Sequence, residues 1–182
     1  KDNILLSCES LLDFGSELNF QRKHLDFHYR SRHPFLIDFS NYAFYNQRLK
    51  PLPNNFDYVP IKYILVNGTF SEHTNEAEAE MVLSIIDKNI NRLPNGEYPT
   101  LGIATFNIAQ RNLIKSKILE RQKFSKFEEF NAKIQELEEK GMFIKNLENI
   151  QGDERDVIIE YINDDERNAD VDLLRKYFTN QK

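Results

Sequence analysis

Two arginines stand close together in His28-Tyr29-Arg30-Ser31-Arg32-His33-Pro34. A guanidinium is a planar fork of donors that stays charged at any physiological pH, and phosphoryl transfer is catalysed mainly by positioning and by positive charge set against the phosphates. Arg30 and Arg32 are therefore candidate phosphate ligands; the plainer reading makes them surface ion-pair residues of little consequence. In Gln151-Gly152-Asp153-Glu154 the glycine permits a tight turn, and a carboxylate beside it can accept hydrogen bonds from ribose hydroxyls. The plainer alternative there is a polar turn with Glu154 solvated. Thr105 ends an apolar run and can donate its hydroxyl to a phosphate. The backbone N–H groups opening a helix at Asn107 form an anion site, and Asn146 offers a further polar contact. None of these groups reads a base edge, so any nucleic-acid binding through them is independent of sequence.

These residues need elements to position them. Ile61–Val66, Leu101–Phe106 and Val157–Ile162 are runs of branched and apolar residues that predict strands, and Met142–Lys145 is a shorter fourth. Near-continuous apolar strands separated by helical segments suit a parallel sheet covered on both faces. After Asn75, which can cap a helix, Ala79, Val82, Ile85, Ile86 and Leu93 follow at helical steps. After Asn107 come Leu113, Ile114 and Ile118, with Gln110 placed to complete a capping box. Phe124, Phe127, Phe130, Ile134 and Leu137 predict another amphipathic helix, read as core and given no chemistry. Pro51, Pro53 and Pro60 separate the first fifty residues from the first expected strand. The expected organisation is one α/β domain over residues 1–182, with a lead-in over 1–60, a sheet core over 61–162 and a C-terminal segment over 163–182.

The lead-in carries a resemblance. His28-Tyr29-Arg30-Ser31, then His33-Pro34 leading through Phe35-Leu36-Ile37 to Phe44-Tyr45, resembles the motif that opens the second RecA-like domain of superfamily 1 helicases. Leu101–Gln110 is similar to that family's strand, Thr/aromatic turn and Gln-bearing helix, and Phe143–Ile159 to its Gln-Gly-x-Glu motif and following strand. The three matches come in the family's order and are nearest to the large bacterial helicase-related proteins. The resemblance implies a RecA-like, P-loop NTPase-type three-layer domain with a mainly parallel sheet. It also implies that Arg30 reaches the γ-phosphate of ATP across a cleft, with Arg32 as backup. Gln151, Gly152 and Glu154 would face the nucleotide, and Thr105, Asn107 and Asn146 would contact single-stranded DNA or RNA. Asn146 departs from the pattern, since the family often has Thr or Ser there.

The same resemblance exposes what the chain lacks. No Gly-x-x-x-x-Gly-Lys-Ser/Thr loop occurs, and no Asp-Glu strand for magnesium is identifiable. ATP with Mg2+ would be held mainly by a first RecA-like domain elsewhere in a parent chain, and this polypeptide alone would not hydrolyse it. The family's last arginine motif is not matched by Arg167 or Arg175. The passage from Ile159 to Glu160-Tyr161 suggests an omitted stretch, and the start at Lys1 without Met an excised piece.

Two rival readings remain. One is a RecA-like module that binds a partner without ATPase activity; the other is a nuclease using Asp153, Asp156 and Glu160. Composition limits the rest. With 24 Lys plus Arg against 29 Asp plus Glu the net charge is −5, which weakens a nucleic-acid reading without excluding it. No stretch approaches the roughly 18 apolar residues that cross a bilayer. Cys8 has no cysteine partner, and His24 and His28 share a helical spacing with no third ligand, so no metal site is expected. A cytoplasmic protein with no membrane partner is the expectation.

Overall fold

In the computed structural model, residues 8–31, 33–53 and 57–161 are described. They divide into two compact units between Tyr63 and Ile64. The first contains α1 (Leu11–Glu17), β1 (Phe27–His28), α2 (Phe35–Phe44) and β2 (Lys50–Pro51), with β1 and β2 paired in parallel. Ser10 caps α1 by accepting from the Asp13 N–H at 3.1 Å. Before α2, where Pro34 leaves no side chain to cap the helix, His33 does the work: its buried Nδ1 accepts from the Phe35 N–H at 3.2 Å. Asn41 closes the unit by gripping Leu49 on both backbone groups, accepting from its N–H at 2.8 Å and donating to its carbonyl at 2.9 Å.

The second unit contains α3 (Glu76–Asn89), β3 (Leu101–Thr105), α4 (Ile108–Gln122), α5 (Glu128–Glu139), β4 (Phe143–Asn146) and β5 (Val157–Glu160). Its sheet runs β4-β3-β5, all parallel, with Ile103 beside both Ile144 and Ile159. Side chains alternate across a strand. Leu101, Ile103, Ile144, Val157 and Ile159 therefore share one face, and all belong to or pack on a core with Leu83, Ile86, Ile114, Ile134 and Leu137 from the three helices. On the other face Ile158 is 47% exposed. The α/β class with parallel strands is as expected and is consistent with a RecA-like P-loop fold.

Local sequence explains the helices. Asn75 and Asn107 sit in extended backbone and accept from the N–H groups of Glu78 and Gln110, at 3.3 and 2.8 Å. Phe130, Ile134 and Leu137 bury the stripe of α5, whereas Phe124 lies outside both helices and is 55% exposed. The side chain of Lys133 closes the far end of α3 by donating to the carbonyls of Ile86 and Asp87.

Three expectations are corrected. Ile61–Val66 forms no strand; Tyr63, Ile64 and Leu65 are exposed. β-propensity becomes a strand only where a neighbour accepts the ladder, and among the described residues none pairs with this run. Leu93 lies beyond the end of α3. Gln110 does not return to its own cap: its Oε1 accepts from the Asn75 N–H at 2.8 Å and its amide donates to the Asn75 carbonyl at 3.0 Å. Of the run Val157–Ile162, Val157–Glu160 is strand, and Ile162 lies outside the described residues.

Between α3 and α4, Lys117 meets Glu76 at 2.5 Å and Glu80 at 2.8 Å, and Arg121 meets Glu80 at 2.8 Å. Hydrogen bonding from Lys117 holds the Glu80 carboxyl below its ordinary range, against a smaller opposing effect of burial. A lowered carboxyl stabilises above the ordinary range, and the contribution disappears as pH falls through the lowered value. Glu80→Gln should thus flatten the loss of melting temperature on acidification below about pH 5, as calorimetry would record. Gln110→Ala, which strands a buried N–H and a buried carbonyl, should cost about 2–4 kcal/mol in urea unfolding; a loss below about 0.5 kcal/mol would refute the role of the fork.

Candidate functional site

The carboxyl edge of the β4-β3-β5 sheet gathers most of the polar groups singled out above. Thr105 ends β3 beside Asn146, the end of β4. Tyr161 extends β5 by one step, its N–H donating to the Ala104 carbonyl at 2.9 Å. Helix α4 opens from this edge, and Gln110 in its first turn holds the cap of α3 next to it. Two helix N-termini therefore converge at one sheet edge, where crevices in parallel α/β folds receive ligands. Gly68 crosses so near the Asn75 amide that a Cβ on it would lie 2.2 Å from Oδ1. A side chain at 68 would displace that cap.

Thr105 does not serve as expected. It is fully buried, and its hydroxyl donates to the Asn107 carbonyl at 3.0 Å, closing the turn into α4. The expectation that this hydroxyl meets a phosphate is therefore corrected: the group is committed and out of reach of solvent. Asn107 caps α4 with its side chain and is half-buried. Asn146 is 5% exposed, and its Oδ1 has no hydrogen-bond partner among the described residues; the same holds for the hydroxyl of Tyr161. Burial, followed by the charge of Glu78, pushes the Tyr161 hydroxyl above its ordinary value, so it remains a neutral donor. An unpaired buried polar atom costs free energy, and such groups are concentrated where proteins do chemistry or bind. Tyr161 was missed in the sequence because nothing in Glu160-Tyr161 marks it; only the register of β5 does.

The Gln151-Gly152-Asp153-Glu154 segment forms the expected turn, closed by the Asp153 N–H on the Ile150 carbonyl at 3.0 Å. Gly152 has φ +90°, a conformation that favours glycine. Gln151 and Glu154 are exposed. Asp153 meets Lys145 at 2.6 Å, while Arg155 donates to the Gly141 carbonyl and lies over the Phe143 ring.

The nuclease reading finds no support in this geometry. Asp156 lies at the opposite, amino edge, where Oδ2 accepts from the N–H and hydroxyl of Thr100 at 3.0 and 2.8 Å. Glu160 is four residues along the strand, on the order of 13 Å away. Among the described residues no three His, Cys, Asp or Glu side chains are grouped to hold a metal ion.

In the first unit, Arg30 sits at the tip of a turn that His28 pins. Nε2 of His28 accepts from the Ser31 N–H at 3.1 Å and lies 2.8 Å from its hydroxyl. Tyr29 is 75% exposed and Arg30 is exposed. Arg22 pairs with Asp13 and Arg48 with Asp26, whereas Arg30 makes no ion pair among the described residues. Arg32 lies outside them.

Comparison with known proteins agrees on kinship. The model of an AAA domain family matches residues 55–177. An uncharacterised ATP-dependent helicase of Mycoplasma genitalium is 33% identical over 138 residues, covering 74% of this chain and 12% of the relative. Its Mycoplasma pneumoniae homologue is 34% identical over 141 residues, with the same coverage. The chain thus spans only about an eighth of the length of the curated relatives it matches. No solved structure matches it. With more than half of its residues matched, the chain belongs to this AAA domain family, which is of helicase type.

Because the Asn146 Oδ1 is buried without a partner, Asn146→Ala should leave unfolding stability within about 1 kcal/mol of wild type. A loss of 3 kcal/mol in urea denaturation would mean that the amide is satisfied and structural.

Proposed function

We propose that this AAA domain is the second motor domain of an ATP-dependent superfamily 1 helicase or translocase. Arg30 completes an ATP site whose magnesium and triphosphate are held mainly by the first RecA-like domain of the same parent chain. The sheet's carboxyl edge contacts single-stranded nucleic acid. The observation that carries this reading is the state of Arg30: in a unit whose other described arginines pair with aspartates, it is exposed and makes no ion pair among the described residues. A guanidinium aimed at a phosphate on another domain needs that arrangement, because a local carboxylate would compete for its fork. The kinship with proteins named ATP-dependent helicases supports the reaction class.

In the mechanism, the chain's residues act on charge and geometry. His28 fixes the turn, so that Arg30 arrives oriented when the cleft closes. Its charge then stabilises the negative charge developing on the transferred phosphoryl oxygens. In this reading Glu154, exposed after the Gly152 turn, accepts from ribose hydroxyls, and Gln151 also faces the nucleotide. On the strand side, the first-turn N–H groups of α4 meet phosphates, and Asn146 contacts the strand through its amide N–H. Closure coupled to hydrolysis then moves the strand.

A module that only binds partners is the second reading, favoured by apolar side chains such as Leu11, Phe20 and Leu25 left exposed in the first unit; a parent chain without an upstream phosphate loop would support it. One experiment separates the two. In the full-length parent, Arg30→Ala should lower strand-stimulated ATP hydrolysis by about 1,000-fold or more while nucleotide still binds, and Arg30→Lys should not restore it. Unchanged turnover in Arg30→Ala would remove the arginine from the mechanism, and a wild-type parent without hydrolysis would favour the binding module.

A further inference from the structure

The unpaired positive charge of the second unit collects in one place. Arg92, Lys117, Arg121, Lys140 and Lys145 all meet carboxylates. Lys133 and Arg155 donate to backbone carbonyls. Among the described residues of this unit, the remaining cations are Lys88, at the end of α3, and Arg111, Lys115, Lys123 and Lys126 on α4 and the turn that follows it.

Their spacing aligns them. Arg111, Lys115, Leu119 and Lys123 recur every four residues, which keeps them on one side of a helix. Lys115, Leu119 and Lys123 turn away from the core, which takes Ile114 and Ile118, whereas Arg111, seven residues before Ile118, is half-buried at its margin. Lys115 and Lys123 are exposed, Leu119 is 60% exposed and Phe124 is 55% exposed. The Lys126 ammonium lies 4.9 Å from the centre of the Phe127 ring and 5.9 Å from that of Phe124. Glu120 is the one carboxylate within the stretch Arg111–Phe127. The stripe begins at the carboxyl edge, where Asn107 caps α4, and descends for about 22 Å along the 15-residue helix.

We propose that the outer face of α4, continued by Phe124 and Lys126, is an extension of the single-strand track leading away from the carboxyl edge. The inference rests on the strand-binding reading above for the identity of the polymer. A line of cations four residues apart, interleaved with exposed apolar side chains, suits a chain that carries one negative charge per unit and presents base faces between them. Lys115 and Lys123 neutralise phosphates, and Phe124 supplies a stacking surface with Lys126 beside it. The contact is independent of sequence, since lysines and a phenylalanine read no base edge.

The test uses the full-length parent, a short oligonucleotide that fills only the carboxyl edge, and one about twice as long. Fluorescence anisotropy is measured across a salt series for wild type, the triple variant Lys115→Gln, Lys123→Gln, Lys126→Gln, and Phe124→Ala. The triple variant should bind the long oligonucleotide roughly tenfold more weakly at low salt, and the slope of log affinity against log salt should fall by about 2. Phe124→Ala should weaken the long oligonucleotide with little change in slope. Short-oligonucleotide binding, strand-saturated ATP turnover and melting temperature should stay at wild-type values. Long-oligonucleotide affinity and slope left unchanged by the triple variant would overturn the extension while leaving the motor reading intact. Loss of a protein partner by that variant, with nucleic-acid binding unaltered, would equally overturn it. A wild-type parent that binds neither oligonucleotide would overturn the motor reading itself, and the extension with it.

Discussion

The second unit depends on one side chain that joins two helix starts. Gln110 is fully buried, and its amide matches both backbone groups of Asn75, 35 positions earlier in the chain. A helix N-terminus leaves donors without intrahelical partners, and burying them is costly unless something accepts. Here the solution is layered. Asn75 caps α3, Asn107 caps α4, and Gln110 fixes the two caps to each other from the first turn of α4. The Thr105 hydroxyl completes the arrangement by donating to the carbonyl of Asn107. The carboxyl edge is therefore a preorganised polar surface built from committed groups, which gives the Asn146 amide oxygen and the Tyr161 hydroxyl, without hydrogen-bond partners among the described residues, their significance.

The same logic of commitment separates the charges. Most cations of the second unit are engaged by carboxylates or carbonyls, several of them linking elements distant in sequence, such as Arg92 with Glu136 and Lys140 with Glu97. Exposed pairs contribute little to stability. Their consequence is electrostatic: each cancels a field that would otherwise extend into solvent. Among the described residues, positive charge outside ion pairs includes Arg30, Lys23, Lys50 and Lys62 in the first unit and lies mainly along α4 in the second.

How much of this was legible in the sequence follows from how far each signal reaches. β3, β4 and β5 were readable because their branched runs are also where the ladder forms, and Asn75 and Asn107 because a cap and its helix are neighbours in sequence. The Gly152 turn was readable for the same reason, and family motifs carried the expectation for Arg30. What failed was non-local. Ile61–Val66 has the composition of a strand but no neighbour to pair with. Gln110 has the spacing of a capping box, yet a tertiary partner won its side chain. Thr105 has the right hydroxyl at the right strand end, but the carbonyl of Asn107 two residues on takes its hydrogen bond and holds it in the turn. Tyr161 carries no local mark at all; its place beside Thr105 is a property of the register between β3 and β5.

Net charge was the strongest sequence argument against a nucleic-acid partner, and its weakness is physical. At physiological ionic strength a charge is felt over about 8 Å. A phosphate on the outer face of α4 therefore meets the local lysines and largely ignores acids held on other elements. A net charge of −5 describes the field far from the molecule, which screening removes. The surplus acids also have local occupations: Glu76, Glu80, Glu97, Glu136 and Asp153 each hold a cation, and Asp156 holds Thr100. Once those pairs are set aside, the sign of the charge left for a ligand differs from element to element. An acidic chain can thus carry a basic track, provided the track is a stripe and its neutralising carboxylates are kept off it.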